Sequence, residues 1–157
     1  MANRVWVLGS AVVDFVSTID RFPAPGESRI AKSVERFLGG KGVNQAVAAA
    51  RSGAEVSFVG ALGLDDAASD FRVLLAEEGI DASEVQTILE ESTGQATILV
   101  NEDAENMIAI YPGANMMMGA SALSHLKIDE EDVVVASWKS RRKYILTAFD
   151  LAKSRGQ

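Results

Sequence analysis

The chain has 157 residues, of which 48% are hydrophobic and 24% charged, with a formal net charge of −7. This length suits one domain or one lobe of a larger protein. The acidic balance argues against a surface for nucleic acid or anionic membrane, since both need a basic face. Cysteine is absent, which excludes disulfides and Cys-ligated metals. No apolar run reaches the ~18 residues of a membrane span.

The N-terminal segment "MANRVWVLGSAVVDFV" faintly resembles a signal peptide, because apolar residues follow Arg4. Asp14 interrupts this run, and the apolar residues that end at Gly9 favour a buried strand over residues 4–9. A second strand is predicted from Val12 to Ile19. We therefore expect a cytoplasmic protein.

An alternating β/α pattern follows a loop, "RFPAPGES", that is rich in proline and glycine. Helices are predicted over residues 43–52 and 67–78, each closed by a glycine where a helix C-cap belongs, Gly53 and Gly79. The alternation of "EVSFVGAL" predicts a strand at 55–62 between them.

The pattern changes between residues 84 and 111. The segments "SEVQTIL", "QATILVN" and "NMIAIY" read as short strands separated by turns, which predicts a small antiparallel sheet inserted into the β/α chain. Beyond it, the sequence predicts a turn at 112–115, a short helix over 120–126, a buried strand from 132 and an amphipathic helix over 141–156.

Three glycines surround Lys41 in "FLGGKGVNQ", at the start of an alanine-rich helix. The spacing fits neither a Walker A loop nor the dinucleotide-binding fingerprint. A plain tight turn that starts a helix explains it. A binding site explains it too, because small residues admit a polar ligand to the backbone. Lys41, Asn44 and free N–H groups of the helix start would then donate to hydroxyls, and Asp14 would accept from them.

The other candidate residues give weaker evidence of a functional site. His125 is the only histidine and lies at a polar helix end. Asp65 and Asp66 could be paired acids, but Asp66 precedes a helix and is predicted to be its N-cap. The run of methionines at 116–118 is interpreted as apolar packing.

Taken together, these segments resemble the ribokinase (PfkB) family of carbohydrate kinases over about residues 4–136. The resemblance rests on Gly-Gly-x-Gly-x-Asn followed by an alanine-rich helix and spaced glycines. It also rests on the segments "VLGSAVVDF", "FPAPGES", "LAEEGID" and "STGQATILVNEDAENMIAIYPGAN".

The resemblance implies a three-layer α/β/α sandwich, with residues 1–157 as the N-terminal portion of a single domain and lid strands around 12–40 and 84–111. In such kinases ATP, with Mg²⁺, gives its γ-phosphoryl to a sugar hydroxyl, commonly the 5-hydroxyl of ribose. The lid strands commonly pair two subunits, so a homodimer is expected. By position, four residues would hold the pentose and two would form apolar walls: Asp14, Gly40, Lys41 and Asn44, then Ala96 and Ile110.

The sequence also departs from the family. Val12 stands where an asparagine is usual, and Lys139 where a glutamate usually contacts the sugar. Family members are about twice as long, and the nucleotide site and the Gly-Ala-Gly-Asp anion hole with its general base lie in the half not matched here. We expect a sugar-binding half of a kinase that is inactive alone. The alternative is a non-catalytic remnant or a sugar-binding or oligomerisation module.

Overall fold

The computed structural model describes residues 4–118, 123, 126–137, 146 and 150. His125, Lys139 and most of the helices predicted over 120–126 and 141–156 lie outside these residues. The strands are β1 (Arg4–Gly9), β2 (Val12–Thr18), β3 (Ser33–Gly39), β4 (Glu55–Leu62), β5 (Val85–Thr87), β6 (Gly94–Val100), β7 (Asn106–Tyr111) and β8 (Val133–Ser137). The helices are α1 (Lys41–Arg51) and α2 (Asp66–Glu77), and a 3₁₀ turn spans Gly113–Met116.

A parallel sheet in the order β5-β4-β1-β8 forms the centre of the protein. Alternate side chains of its strands enter two apolar layers, as the two-residue period of a strand requires. Val7 and Phe58 pack with residues of α1 and α2 on one face. Trp6 and Leu8 pack on the other face, against residues that follow β7. Burial on both faces explains why β1 reads as a continuous apolar run.

A second sheet, the lid sheet, has the order β3-β2-β6-β7. β2 and β3 form one antiparallel hairpin and β6 and β7 another. The two hairpins meet through β2 and β6, which run parallel from Val12 opposite Gly94 to Thr18 opposite Val100. The lid sheet is therefore mixed, which corrects the predicted antiparallel sheet. Two separate excursions of the chain leave the central sheet in the same direction, so their outgoing strands pair in parallel.

The segment around β5 was wrongly assigned to the lid. Val85–Thr87 pairs in parallel with Gly60–Leu62 of the central sheet. Val85 is buried in the core, whereas Leu89 is 70% exposed. A short alternating segment indicates a strand, but it does not say which sheet the strand joins.

Among the described residues, every helix is too short or too polar to span a membrane.

Helix ends follow the predicted glycine signals. Gly53 and Gly79 have φ of 91° and 69°, the left-handed conformation that closes a helix. The start of α2 differs, because Asp65 rather than Asp66 is its N-cap. The Asp65 carboxylate accepts hydrogen bonds from the Ala68 amide (2.9 Å) and from both the amide and the hydroxyl of Thr93 (2.7 Å each). This carboxylate therefore ties α2 to the residue that precedes β6.

Replacing Asp65 with alanine should lower the free energy of unfolding by about 2 kcal/mol, because it removes a helix cap and leaves the amide and the hydroxyl of Thr93 without their acceptor. Partial burial raises the pKa of Asp65, but the hydrogen bonds from Thr93 and Ala68 outweigh burial and leave it below its usual range. The stabilisation should therefore be present at neutral pH and disappear as the pH falls from about 4 through the folded-state pKa.

Urea denaturation at several pH values measures this effect. Asp66→Ala is the matched control, since Asp66 is exposed in the first turn of the same helix. We expect it to change stability by no more than about 0.5 kcal/mol. Equal losses for the two variants would contradict the assignment of Asp65 as the cap.

Candidate functional site

A cavity of about 310 Å³ lies between the lid sheet and the start of α1. All six residues that the sequence analysis singled out line it: Asp14, Gly40, Lys41, Asn44, Ala96 and Ile110. They come from four elements and one turn, so the fold, rather than their spacing in the chain, brings them together.

The start of α1 reaches the cavity because two backbone segments touch. A Cβ placed on Gly42 would lie 2.6 Å from the Cα of Gly9, and one placed on Gly9 would lie 2.6 Å from the Cα of Gly42. Real Cβ atoms do not approach other atoms so closely, so neither position accepts a side chain without a shift of backbone. The helix therefore begins directly against the end of β1.

Gly40 forms the turn that leads from β3 into α1. Its φ of +95° is a conformation that side-chain-bearing residues rarely adopt. A Cβ there would also lie 2.6 Å from the Ser10 carbonyl oxygen and 2.8 Å from the Val12 nitrogen. The turn and the close approach both require glycine. At this end of the cavity the lining is therefore backbone without a side chain.

The amides of the helix start are less available than the sequence analysis expected. The N–H groups of Gly42 and Val43 donate to the Ser10 carbonyl at 3.1 and 3.3 Å, and the Asn44 amide donates to Gly40 within the helix (2.9 Å). These donors are already occupied. The exposed side chains of Lys41 and Asn44 are the side-chain donors that α1 offers to the cavity.

The lid sheet supplies the opposite wall. Asp14 on β2 lies opposite Ala96 on β6, which in turn lies opposite Ile110 on β7, so the three side chains share one face. Ile98 and Ile108 form the next row of the same face and also line the cavity. This wall is apolar except for one carboxylate.

The Asp14 carboxylate has no hydrogen bond or ion pair with another described residue. Its partial burial raises its pKa above the usual range, because a less polar environment disfavours the charged form. An acceptor without a partner thus faces two side-chain donors across the cavity. This arrangement suits a small molecule that carries several hydroxyl groups and an apolar C–H surface.

Sequence reasoning missed several lining residues. Ile98 and Ile108 lie two positions from Ala96 and Ile110, so the strand period could have revealed them. Asn115 was read only as part of a turn, although it is 4% exposed and lines the cavity. The remaining lining residues are Ser10, Val12, Pro112 and Met116.

The described residues do not fit ATP and Mg²⁺. They contain no group of three or more acidic or histidine side chains that could hold a metal ion. The lone carboxylate of Asp14 would repel a triphosphate, and the amides of Gly42 and Val43 that could bind a phosphate are bonded to Ser10. The cavity chemistry therefore suits a neutral polyol better than a nucleotide.

Comparison with known proteins shows the family to which the chain belongs. Residues 2–157 match the family described as pfkB family carbohydrate kinase. The chain belongs to this family. It is 39% identical to the ribokinase of Staphylococcus aureus (strain COL) over 163 aligned residues. The alignment covers 99% of this chain and 52% of that relative. The chain thus spans about half the length of the curated relatives it matches.

Solved structures show the same relationship. The structure of ribokinase from Giardia lamblia matches with a TM-score of 0.85 and 30% identity over 99% of this chain and 48% of that chain. The structure of Arabidopsis thaliana ribokinase complexed with ribose and ATP matches with a TM-score of 0.82 and 27% identity, over 99% of this chain and 52% of that chain. The predicted ribokinase-like α/β fold is confirmed.

The unpartnered carboxylate of this pfkB-family chain should reduce stability at neutral pH. Because the folded-state pKa of Asp14 is raised, the folded state binds its proton more tightly than the unfolded state does. The resulting destabilisation is absent at low pH and grows as the pH rises through the folded-state pKa. Asp14→Asn should therefore raise the midpoint of thermal unfolding at pH 7.

Thermal unfolding at pH 7 and at pH 4 measures this effect, and the gain from the substitution should be smaller at the lower pH. Asp103→Asn is the control, because Asp103 is an exposed carboxylate in the turn between β6 and β7. A loss of stability in Asp14→Asn at pH 7 would show that the carboxylate has a stabilising partner instead.

Proposed function

We propose that this chain is the sugar-binding half of a ribokinase-like carbohydrate kinase, with a pentose, ribose by default, as its ligand. The observation that carries the proposal is that the six residues implied by the family resemblance line a single cavity. Relatives that match almost the whole chain are ribokinases, and one solved relative is complexed with ribose and ATP.

In this proposal the Asp14 carboxylate accepts hydrogen bonds from two sugar hydroxyls, and the side chains of Lys41 and Asn44 donate to others. Ala96 and Ile110 pack against the apolar C–H face of the ring. The glycine at position 40 lets the sugar approach the backbone. The hydroxyl groups of a bound sugar would also donate hydrogen bonds to the otherwise unpartnered carboxylate of Asp14. The sugar would therefore bind better when Asp14 is charged.

Phosphoryl transfer depends on positioning a nucleotide and neutralising the charge that develops on it. ATP would supply the phosphoryl group and Mg²⁺ would neutralise its charge, but the described residues do not fit either group. We therefore propose that the chain does not phosphorylate sugar by itself. Groups from the other half of the kinase fold, on a further stretch of chain or on a second chain, would supply this chemistry.

Isothermal titration calorimetry of the purified chain should detect ribose binding, and Asp14→Ala should weaken it by about tenfold or more. A hydrogen bond to a charged group contributes about 1.5–3 kcal/mol, and 1.4 kcal/mol corresponds to a factor of ten in affinity. Asp103→Asn should bind ribose as the unaltered chain does. The same preparations should produce no ribose phosphate from ATP.

Two results would contradict the proposal. An absence of heat with millimolar ribose would favour the non-catalytic remnant over the sugar-binding half. ATP-dependent turnover by the chain alone, abolished by Asp14→Ala, would show that the catalytic groups are present within these 157 residues.

We also propose that the lid sheet pairs two copies of the chain. Apolar side chains are exposed on the lid face that points away from the cavity. They include Val34 (66% exposed), Met107 (55%), Tyr111 (52%) and Phe15 (37%). Exposed apolar groups clustered on one sheet face are typical of an interface, and the lid sheets of ribokinase-like proteins commonly pair subunits.

Sedimentation equilibrium should show a dimer, and the double substitution Val34→Lys with Met107→Lys should convert it to a monomer. Charges buried in the interface without partners would oppose association. Leu89→Lys is the matched control, since Leu89 is 70% exposed but lies outside the lid sheet. A monomeric parent chain at micromolar concentration would overturn the dimer proposal without affecting the sugar site.

A further inference from the structure

The lid sheet is joined to the central part of the protein at four places, which we call the crossings. They lie at residues 10–11, where β1 leads to β2, and at 39–40, where β3 leads to α1. The other two lie at 93–94, where β6 begins, and at 111–112, where β7 ends. Asp14 lies on the lid side of the crossings, whereas Lys41 and Asn44 lie on the central side. The width of the cavity therefore depends on how the crossings are held.

Asn115 contacts three of the four crossings. Its side-chain oxygen accepts a hydrogen bond from the Ala11 amide (3.0 Å), and its side-chain nitrogen donates to the Ala11 carbonyl (2.8 Å). The same nitrogen donates to the Pro112 carbonyl (2.9 Å). One side chain thus bonds both backbone groups of Ala11 in the first crossing and the carbonyl of Pro112 in the last.

The third contact is steric. A Cβ placed on Gly94, at the start of β6, would lie 2.4 Å from the Asn115 side-chain nitrogen. The Asn115 amide is the nearest of three groups that crowd this position, since the same Cβ would lie 2.9 Å from the Pro112 carbonyl oxygen and 3.0 Å from that of Ala11. The adjoining 3₁₀ turn is itself anchored, because the Ala114 amide donates to the Ser92 carbonyl (2.8 Å) just before this crossing.

The chemistry of the site requires a carboxamide. The Ala11 carbonyl needs a donor and the Ala11 amide needs an acceptor, and the asparagine side chain offers both in a short side chain. Its second N–H adds a hydrogen bond to the Pro112 carbonyl, which also accepts from the backbone amide of Asn115 (3.2 Å). Aspartate would place a negative charge against two carbonyl oxygens. Leucine would leave buried backbone groups of Ala11 without partners. The 3₁₀ turn itself does not require the hydrogen bonds between the Asn115 side chain and Ala11.

We propose that Asn115 is the positioning residue that fixes the lid sheet relative to the central sheet, and so sets the spacing between Asp14 and the donors on α1. The geometric part stands on the contacts of Asn115 alone. Its consequence for ligand affinity rests on the proposed sugar-binding function.

The chain contains no cysteine, so two introduced cysteines can be spin-labelled selectively. Suitable positions are Asp103 in the lid turn and Val73 on α2, both exposed. Double electron–electron resonance, with labelled chain diluted in unlabelled chain, measures the distribution of the distance between them. The parent should give one narrow distribution. Asn115→Ala should broaden it at least twofold and weaken ribose binding about tenfold or more.

Gly94→Ala provides a second variant that keeps Asn115. Its methyl group should displace the amide and broaden the distribution similarly. In the Asn115→Ala background the same substitution should broaden the distance distribution by a smaller additional amount. The steric clash between the new methyl group and the Asn115 side chain is then absent. Full additivity of the two effects would contradict a shared action.

Val56→Ala is the control for a general loss of stability, since Val56 is buried in the central core on β4. It should lower the unfolding temperature but leave the distance distribution narrow. A parent-like distribution in both Asn115→Ala and Gly94→Ala, or equal broadening in Val56→Ala, would overturn the proposal. Broadening in a chain whose parent binds no ribose would support the positioning role while refuting the sugar-binding function.

Discussion

The contact between the end of β1 and the start of α1 is the constraint on which the site depends. Gly9 and Gly42 bring two backbones together, and the Ser10 carbonyl accepts the amides of Gly42 and Val43 in the space that this leaves. The bonds anchor the helix start and occupy two of the amides that a helix usually offers to an anion. The side chains of Lys41 and Asn44 remain as donors beside the cavity. The contact between β1 and α1 therefore makes the helix start less suited to a phosphate group and better suited to hydroxyl groups.

The sequence predicted the central β/α elements well because their signals are local. β1 is an apolar run that ends in glycine, and β4 shows the alternation of a strand. Gly53 and Gly79 close the helices in the conformation that glycine favours. The start of α2 was placed one residue late, since two adjacent aspartates both satisfy the capping pattern. Only the bonds from Ala68 and Thr93 distinguish Asp65 from Asp66.

The lid was harder to predict, for a different reason. β3 is exposed along most of its length and carries Glu35 and Arg36, so it has little apolar alternation. The parallel pairing of β2 with β6 joins residues more than 80 positions apart, and the alternation within each strand does not specify it. Asp14, Lys41 and Asn44 were nevertheless candidates from their local chemistry, and the family resemblance added Ala96 and Ile110, which composition and spacing could not supply. Asn115 was missed because its partners are backbone groups, which no side-chain motif reveals.

The lid and the central sheet place opposite chemistries across the cavity at a cost in stability. Burial makes the Asp14 carboxylate harder to ionise, and no described neighbour compensates it. Such a group is poorly explained by folding alone, since an amide or an apolar side chain would fit the same wall without a charge. A ligand with hydroxyl groups would compensate it, provided that the lid holds the carboxylate at the right distance from Lys41 and Asn44. Polarity and position are thus separate requirements: Asp14 supplies the first, and the crossings that Asn115 binds supply the second.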